Sequence, residues 1–90
     1  MMRAHVVFKG KVQGVFFRAH TQEKAEQLGV KGWVMNARSG DVEAVFEGEE
    51  GKVKELIEYC RSGQPHARVD KADIRVEGYK GEFSEFEVRR

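Results

Sequence analysis

The apolar residues of this chain switch between strand and helix spacing in an order that strongly limits the fold. Ala4 to Gly10 alternates with the period of two that a strand requires. From about Arg18 to Leu28 the apolar residues recur at helical spacing, and Gly29 supplies the left-handed residue that commonly ends a helix. The chain therefore begins with a strand followed directly by an amphipathic helix.

The middle of the chain predicts a hairpin and a second helix. Two strands are expected from Val30 to Asn36 and from Asp41 to Gly48, with a tight turn around Gly40. The next apolar residues fall at i, i+3, i+4 and i+7 and mark the buried face of a helix: Val53, Leu56, Ile57 and Cys60. Gly63 and Pro65 end this second helix.

Two shorter alternating runs, Asp73 to Glu77 and Phe86 to Val88, follow as strands. The order βαββαβ plus a short terminal strand predicts an α+β, ferredoxin-like split-βαβ sandwich, in which two helices cover one face of a mainly antiparallel sheet. No internal repeat or low-complexity linker interrupts residues 1–90, so we expect a single domain. Many unrelated functions use this fold, and the function must be sought in a site.

Charge and cysteine content argue against several classes of protein. The 16 Lys and Arg residues nearly balance the 15 Asp and Glu residues, which is not typical of a nucleic-acid or membrane-surface protein. A single cysteine, Cys60, allows no internal disulfide and no four-cysteine cluster. Charged residues interrupt every apolar run near the N-terminus, so no signal peptide is predicted. We expect a cytoplasmic monomer with neither nucleic-acid nor membrane partners.

The segment from Gly10 to Arg18 is the first candidate site. The first N–H groups of a helix have no intrahelical partner, and the helix dipole places partial positive charge at that end. Gly10 and Gly14 allow the preceding backbone to curl, and Arg18 adds a permanently charged guanidinium to the first turn. These features predict a pocket for a small tetrahedral anion, foremost a phosphoryl group.

Two segments together resemble the acylphosphatase family, and the resemblance covers almost the whole chain. In that family a G-x-V-Q-G-V-x-[FY]-R loop binds phosphate and a G-W-V-x-N strand carries the second catalytic residue. Gly10 to Arg18 matches the loop, and Gly32 to Asn36 matches the strand. The resemblance implies hydrolysis of a small acyl phosphate to a carboxylate and orthophosphate, with no metal or cofactor. It also implies that the product, inorganic phosphate, inhibits the reaction.

The resemblance also implies roles for particular residues. Arg18 would bind the phosphoryl oxygens, and Asn36 would position the attacking water. The backbone N–H groups of the phosphate-binding loop would assist Arg18, and these belong to Val12, Gln13, Gly14, Val15, Phe16, Phe17 and Arg18 itself. Many members of the family have Thr directly after this Asn, whereas this chain has Ala37.

Other residues near these motifs are given structural interpretations. Phe16 and Phe17 are predicted to anchor the helix in the core, and Trp33 is predicted to be a buried strand residue. His20 lies close to Arg18 in sequence, but a lone histidine on a helix surface seldom acts as a general base. Cys60 is expected to behave as a small, inert core residue.

Three other kinds of protein share the anion pocket or the predicted fold. A phosphate- or carboxylate-sensing module would keep the anion pocket without the chemistry, although the presence of Asn36 favours an enzyme. RNA-recognition domains share the fold, but the strand from Asp41 to Glu47 is acidic and lacks their aromatic motif. An iron–sulfur ferredoxin is excluded because there is only one cysteine.

Overall fold

Five strands and two helices make up the chain, and a computed structural model describes all of residues 1–90. The strands are β1 (Met2–Lys11), β2 (Lys31–Asn36), β3 (Val42–Gly48), β4 (Arg68–Glu77) and β5 (Phe86–Arg89). The helices are α1 (Phe17–Leu28) and α2 (Glu50–Glu58), and α2 runs directly into a single π-helical turn, Tyr59–Gly63. The strands form one sheet in the order β4-β1-β3-β2-β5. This confirms the predicted ferredoxin-like sandwich.

The pairing of the strands determines which of their ends come together. β3 pairs antiparallel with both β1 and β2, and β2 pairs parallel with β5. Consequently β1, β2 and β5 all run in the same direction, and their C-terminal ends lie at the same end of the sheet. The residue that ends β2 is Asn36, and the loop that follows β1 leads into α1.

The core lies between the sheet and the two helices. The strands alternate, so that Val6 and Phe8 of β1 point into the core and neighbouring residues point away from it. α1 contributes Phe17, whose ring centre lies 5.3 Å from that of Phe8. α2 buries its predicted apolar face, and Cys60 on the π-helical turn continues that face. The helix positions predicted for the core are therefore largely confirmed.

Cys60 is enclosed in the core as predicted. Its side chain is 1% exposed, and the Thr21 Oγ1 atom lies 3.4 Å from its sulfur. Burial raises the pKa of the Cys60 thiol to about 11 because a thiolate there would lose its hydration. At neutral pH the group is a protonated thiol, the form that does not react as a nucleophile.

Trp33 is not buried in the core, and that prediction is wrong. Its neighbours Gly32 and Val34 face the helices and are buried, so the alternation of the strand turns Trp33 to the opposite face of the sheet. There it is half-buried, and the Arg89 guanidinium lies 4.7 Å from the centre of its ring. The contact has the geometry of a cation–π interaction.

β4 begins five residues earlier than the alternation predicted, at Arg68 and not at Asp73. A register shift between Lys9 and Gly10 of β1 marks a bulge in the pairing of β1 with β4. A two-residue period is hard to recognise across such an irregularity, because the bulge changes which side chains share a face.

No helix of the chain is long and apolar enough to span a membrane.

Gly32 allows β2 and β3 to approach closely, and we expect Gly32→Ala to destabilise the fold. A Cβ atom there would lie 1.9 Å from the Val45 carbonyl oxygen, and the φ angle of +138° also disfavours a side chain. We expect the free energy of unfolding to fall by about 3 kcal/mol in chemical denaturation. The matched control is Gly51→Ala in α2, where a Cβ meets no atom within 4 Å and about 0.5–1 kcal/mol should be gained. Equal stabilities for the two variants would contradict this account of β2.

Candidate active site

The loop between β1 and α1 presents backbone N–H groups that have no acceptor in the protein. Gly14 and Phe16 have left-handed φ angles of 73° and 59°, whereas Gln13 and Val15, which precede them, have negative φ angles. Alternation of this kind brings successive N–H groups to one concave side of the backbone. None of the N–H groups of residues 12–16 donates a hydrogen bond to the chain. The loop is therefore suited to binding an anion.

The start of α1 adds to this positive character. The helix has no side-chain cap at its N-terminus and no acidic residue in its first turn. The positive end of the helix dipole is thus neither capped nor neutralised by the chain itself. An anion bound at this end of the helix would gain from both the free N–H groups and the dipole.

Arg18 lies in the first turn of α1, where a cation is electrostatically unfavourable without a bound anion. Its side chain is half-buried, and the Nη1 atom donates a hydrogen bond of 3.0 Å to the carbonyl oxygen of Arg89 at the end of β5. No carboxylate lies within ion-pair distance of Arg18. The guanidinium is therefore held in place by a neutral acceptor, and its charge remains available to an anion.

Asn36 lines the same cavity as Arg18, together with Gly14 and Phe16 of the loop. The cavity has a volume of about 420 Å³, which leaves room beyond a single phosphoryl group. The Asn36 side chain is half-buried and forms no hydrogen bond with the chain, so its amide can donate to and accept from a bound molecule. The structure thus brings together the two side chains that the sequence motifs singled out.

Gln13 connects the loop to the strand end that carries Asn36. Its Nε2 atom donates two hydrogen bonds of 2.9 Å, to the carbonyl oxygens of Ala37 and Asp41. These carbonyls lie at the two ends of the turn between β2 and β3. The side chain of Gln13 therefore fixes the turn against the loop, a role that the sequence analysis did not identify.

The turn between β2 and β3 is held by further contacts. Lys9 Nζ lies 3.0 Å from Asp41 Oδ2, and Ser39 Oγ donates to the same oxygen at 3.0 Å. The hydrogen bond from Lys9, followed by that from Ser39, lowers the pKa of Asp41, and the same contact raises the pKa of Lys9. The turn thus keeps its ion pair throughout the neutral pH range.

Comparison with known proteins gives the family. The acylphosphatase family model matches residues 4–88. The chain belongs to the acylphosphatase family. An acylphosphatase from Syntrophobacter fumaroxidans is 52% identical over 96% of this chain and 89% of the relative. Relatives at this level of identity carry the same name, and the chain is accordingly a hydrolase.

Solved structures agree with this assignment. The crystal structure of an acylphosphatase from Bacillus subtilis superimposes over 100% of both chains, with a TM-score of 0.94 and 28% sequence identity. The structure of an acylphosphatase from Coxiella burnetii has a TM-score of 0.91 and 41% identity, over 98% of this chain and 92% of the other. The predicted family resemblance is confirmed.

Ala37 stands where many acylphosphatases have Thr, yet its backbone is fixed from two sides. The Ala37 N–H donates to the Asp41 carbonyl oxygen at 2.9 Å, and its own carbonyl accepts the hydrogen bond from Gln13. Asn36 itself pairs with Val42 in the sheet. In this acylphosphatase the position of Asn36 therefore depends on backbone hydrogen bonds and not on a neighbouring hydroxyl group.

Phe16 does not anchor the helix in the core, and that prediction is wrong, whereas Phe17 does so as expected. Phe17 is 1% exposed, but the Phe16 side chain is 74% exposed and lines the cavity. The left-handed backbone of Phe16, immediately before α1, turns its side chain away from the side that Phe17 buries. An exposed aromatic ring at the cavity wall offers apolar surface to whatever part of a ligand lies outside the loop.

His20 and Trp33 do not line the cavity, whereas four residues outside the motifs do: Ala19, Gln22, Val88 and Arg90. The ring of His20 lies 6.4 Å from that of Phe16, and its Nδ1 atom is buried without a hydrogen-bond partner. The four additional residues come from the first two turns of α1 and from the end of the chain, where no sequence motif marks them.

Proposed function

We propose that this acylphosphatase cleaves the carboxyl–phosphate anhydride of small acyl phosphates within the cavity lined by Arg18 and Asn36. The proposal rests on three kinds of group that line one cavity. They are a guanidinium that forms no ion pair, backbone N–H groups that have no acceptor in the chain, and an amide side chain that forms no hydrogen bond with the chain. The loop from Val12 to Arg18 would hold the phosphoryl group, and Asn36 would hold the water.

The loop and Arg18 would stabilise charge on the phosphoryl oxygens as it develops. Phosphoryl transfer needs little covalent chemistry from the protein and depends on positioning and charge stabilisation. Donors that are fixed before the substrate binds need no reorganisation during the reaction. The hydrogen bonds of Arg18 and Gln13 to backbone carbonyls provide such fixation.

Asn36 would orient the nucleophile without taking its proton, because an amide is not a useful base at neutral pH. The water oxygen forms a bond to phosphorus while the bond from phosphorus to the acyl oxygen breaks. The electron pair of that bond leaves with the carboxylate, which is a weak base and needs no strong general acid. The proton of the water passes to a phosphoryl oxygen, and the products are a carboxylate and orthophosphate.

The remaining expectations about the protein become part of the proposal. Every group assigned to the site belongs to one chain, so residues 1–90 would act as a single catalytic domain. No group of three or more His, Cys, Asp and Glu side chains is arranged so that it could hold a metal ion. We propose that Arg18 and the loop supply the charge stabilisation and that activity needs no added metal. A cytoplasmic location is retained as a proposal.

Hydrolysis of benzoyl phosphate by the purified chain, with and without EDTA, tests the reaction. We expect the same turnover in both conditions and competitive inhibition by inorganic phosphate. Loss of activity in EDTA that added metal restores would contradict the proposed charge stabilisation. Absence of turnover, combined with thermal stabilisation by phosphate, would instead identify the anion-sensing module that the sequence analysis considered.

Gln13→Ala tests whether the connection between loop and turn matters for turnover. Without the two hydrogen bonds the distance between the loop and Asn36 is no longer fixed, and we expect kcat for benzoyl phosphate to fall about 10- to 100-fold. Gln27→Ala, on the exposed part of α1, is the matched control and should keep its activity. If both variants turn over at the same rate, the Gln13 side chain is not needed for positioning.

A further inference from the structure

Strand β4 leaves one of its two edges unpaired. It lies at the end of the sheet and pairs only with β1. An open edge presents backbone N–H and C=O groups to which another strand can bind. Two apolar residues on the side of β4 that faces the helix layer are also exposed, Ile74 at 47% and Val76 at 64%. This edge is therefore a surface with both hydrogen-bonding groups and uncovered apolar area.

The other face of β4 carries charges of alternating sign. In the order of the chain these residues are Lys71, Asp73, Arg75 and Glu77. Their alternate positions place all four on the same face. Lys71 and Asp73 are 3.5 Å apart, and Glu77 contacts Arg3 at 3.1 Å. Arg75 belongs to no ion pair within the chain.

When two copies of β4 lie side by side and antiparallel, their charges can be complementary. A two-fold axis perpendicular to the sheet pairs two identical strands antiparallel and keeps the same face on the same side. With the axis through Ile74, Asp73 lies opposite Arg75 of the second copy. Lys71 then lies opposite Glu77, and the symmetry forms each pair twice. On the opposite face, Ile74 meets its own copy and Val76 meets Ala72.

The neighbouring registers are unfavourable, because a shift of the axis by one residue brings like charges together. With the axis through Asp73, that carboxylate faces its own copy and Lys71 faces Arg75. With the axis through Arg75, that guanidinium faces its own copy and Asp73 faces Glu77. Like charges directly opposite in an antiparallel pair are destabilising. The charges therefore select one register among these three.

We propose that the β4 edge binds a second copy of this chain, with the two-fold axis through Ile74, so that the two sheets join into one. This revises the expectation of a monomer. One pair of strands buries less surface than the roughly 1,600 Å² of a standard interface, and the dimer should dissociate on dilution. None of residues 71–77 lines the cavity, so turnover per chain should not depend on association.

Disulfide cross-linking tests the register. In Ile74→Cys the two new cysteines face each other across the axis, with Cβ atoms about 5 Å apart. In Val76→Cys they are four residue steps apart, about 13 Å, although residue 76 is the more exposed. Under mild oxidation we expect Ile74→Cys to form dimers at least about tenfold faster, since a disulfide needs close Cβ atoms. Equal rates would overturn the proposed register.

Charge reversal tests the interface independently, with sedimentation equilibrium over a range of concentrations. Asp73→Arg turns two attractive pairs into repulsive ones and should weaken dimerisation about tenfold or more. The double variant Asp73→Arg/Arg75→Asp exchanges the charges and should restore it. A monomeric wild-type chain at every concentration, or no recovery in the double variant, would overturn the proposal. Benzoyl phosphate turnover, expected to be unchanged, verifies that each variant is folded.

Discussion

Arg18→Lys is expected to lower kcat/KM for benzoyl phosphate about 10²- to 10³-fold, although the variant keeps its positive charge. The planar guanidinium can donate to the Arg89 carbonyl through Nη1 and still direct other N–H groups at two phosphoryl oxygens. An ammonium group is a point donor and cannot occupy both positions. Removal of one preorganised donor to a transition-state oxygen commonly costs this much in rate.

Steady-state kinetics of Arg18→Lys and Arg18→Ala, beside a control, measure this effect. Arg38→Lys is a suitable control because Arg38 is exposed in the turn next to the site, does not line the cavity and forms no ion pair. The control should keep wild-type kinetics. Near-wild-type turnover in Arg18→Lys would show that charge alone suffices and that the proposed bidentate geometry is wrong.

Asn36→Ala is expected to lower kcat about 10²- to 10³-fold and to leave inhibition by inorganic phosphate nearly unchanged. The amide is proposed to hold the water and not the phosphoryl group, so its removal should affect the reaction and spare the binding of the product. Ser39→Ala, in the adjacent turn, serves as the control for nonspecific disturbance of the hairpin. Both kcat and the inhibition constant for phosphate should be measured for each variant.

A second substitution at the same position tests whether the Asn36 side chain lies beside the bound phosphate. Asn36→Asp places a carboxylate beside the phosphoryl site, and like-charge repulsion should weaken phosphate inhibition strongly. If phosphate inhibition also weakens in Asn36→Ala, as severely as the rate falls, then Asn36 binds the phosphoryl group and does not position water.

The order of elements and the positions of Arg18 and Asn36 in the fold could be predicted because each depends on local sequence. The change in hydrophobic period located α1 directly after the loop, and α1 begins within one residue of the predicted start. A helix N-terminus preceded by two glycines and followed by a cation is a local pattern with a local physical meaning. Asn36 was identified by a motif that ends at a strand boundary, which the structure has at the same residue.

The side-chain contacts that fix the site could not be predicted because they join distant parts of the chain. Gln13 reaches a carbonyl 24 residues away, and Arg18 reaches one 71 residues away. Both acceptors are backbone atoms, so no residue type marks them in the sequence. The errors at Phe16 and Trp33 have a related cause, since backbone conformation and strand alternation, and not hydrophobicity, set the direction of these side chains.

Titration of the ¹⁵N-labelled chain with inorganic phosphate, followed by amide chemical shifts, tests the central claim most directly. We expect the amide signals of residues 12–18 to shift together and to give one dissociation constant for phosphate. The same titration of Arg18→Ala should show these shifts only at much higher concentrations. If phosphate moved amides elsewhere and left residues 12–18 unchanged in an active enzyme, the loop would not be the phosphoryl site.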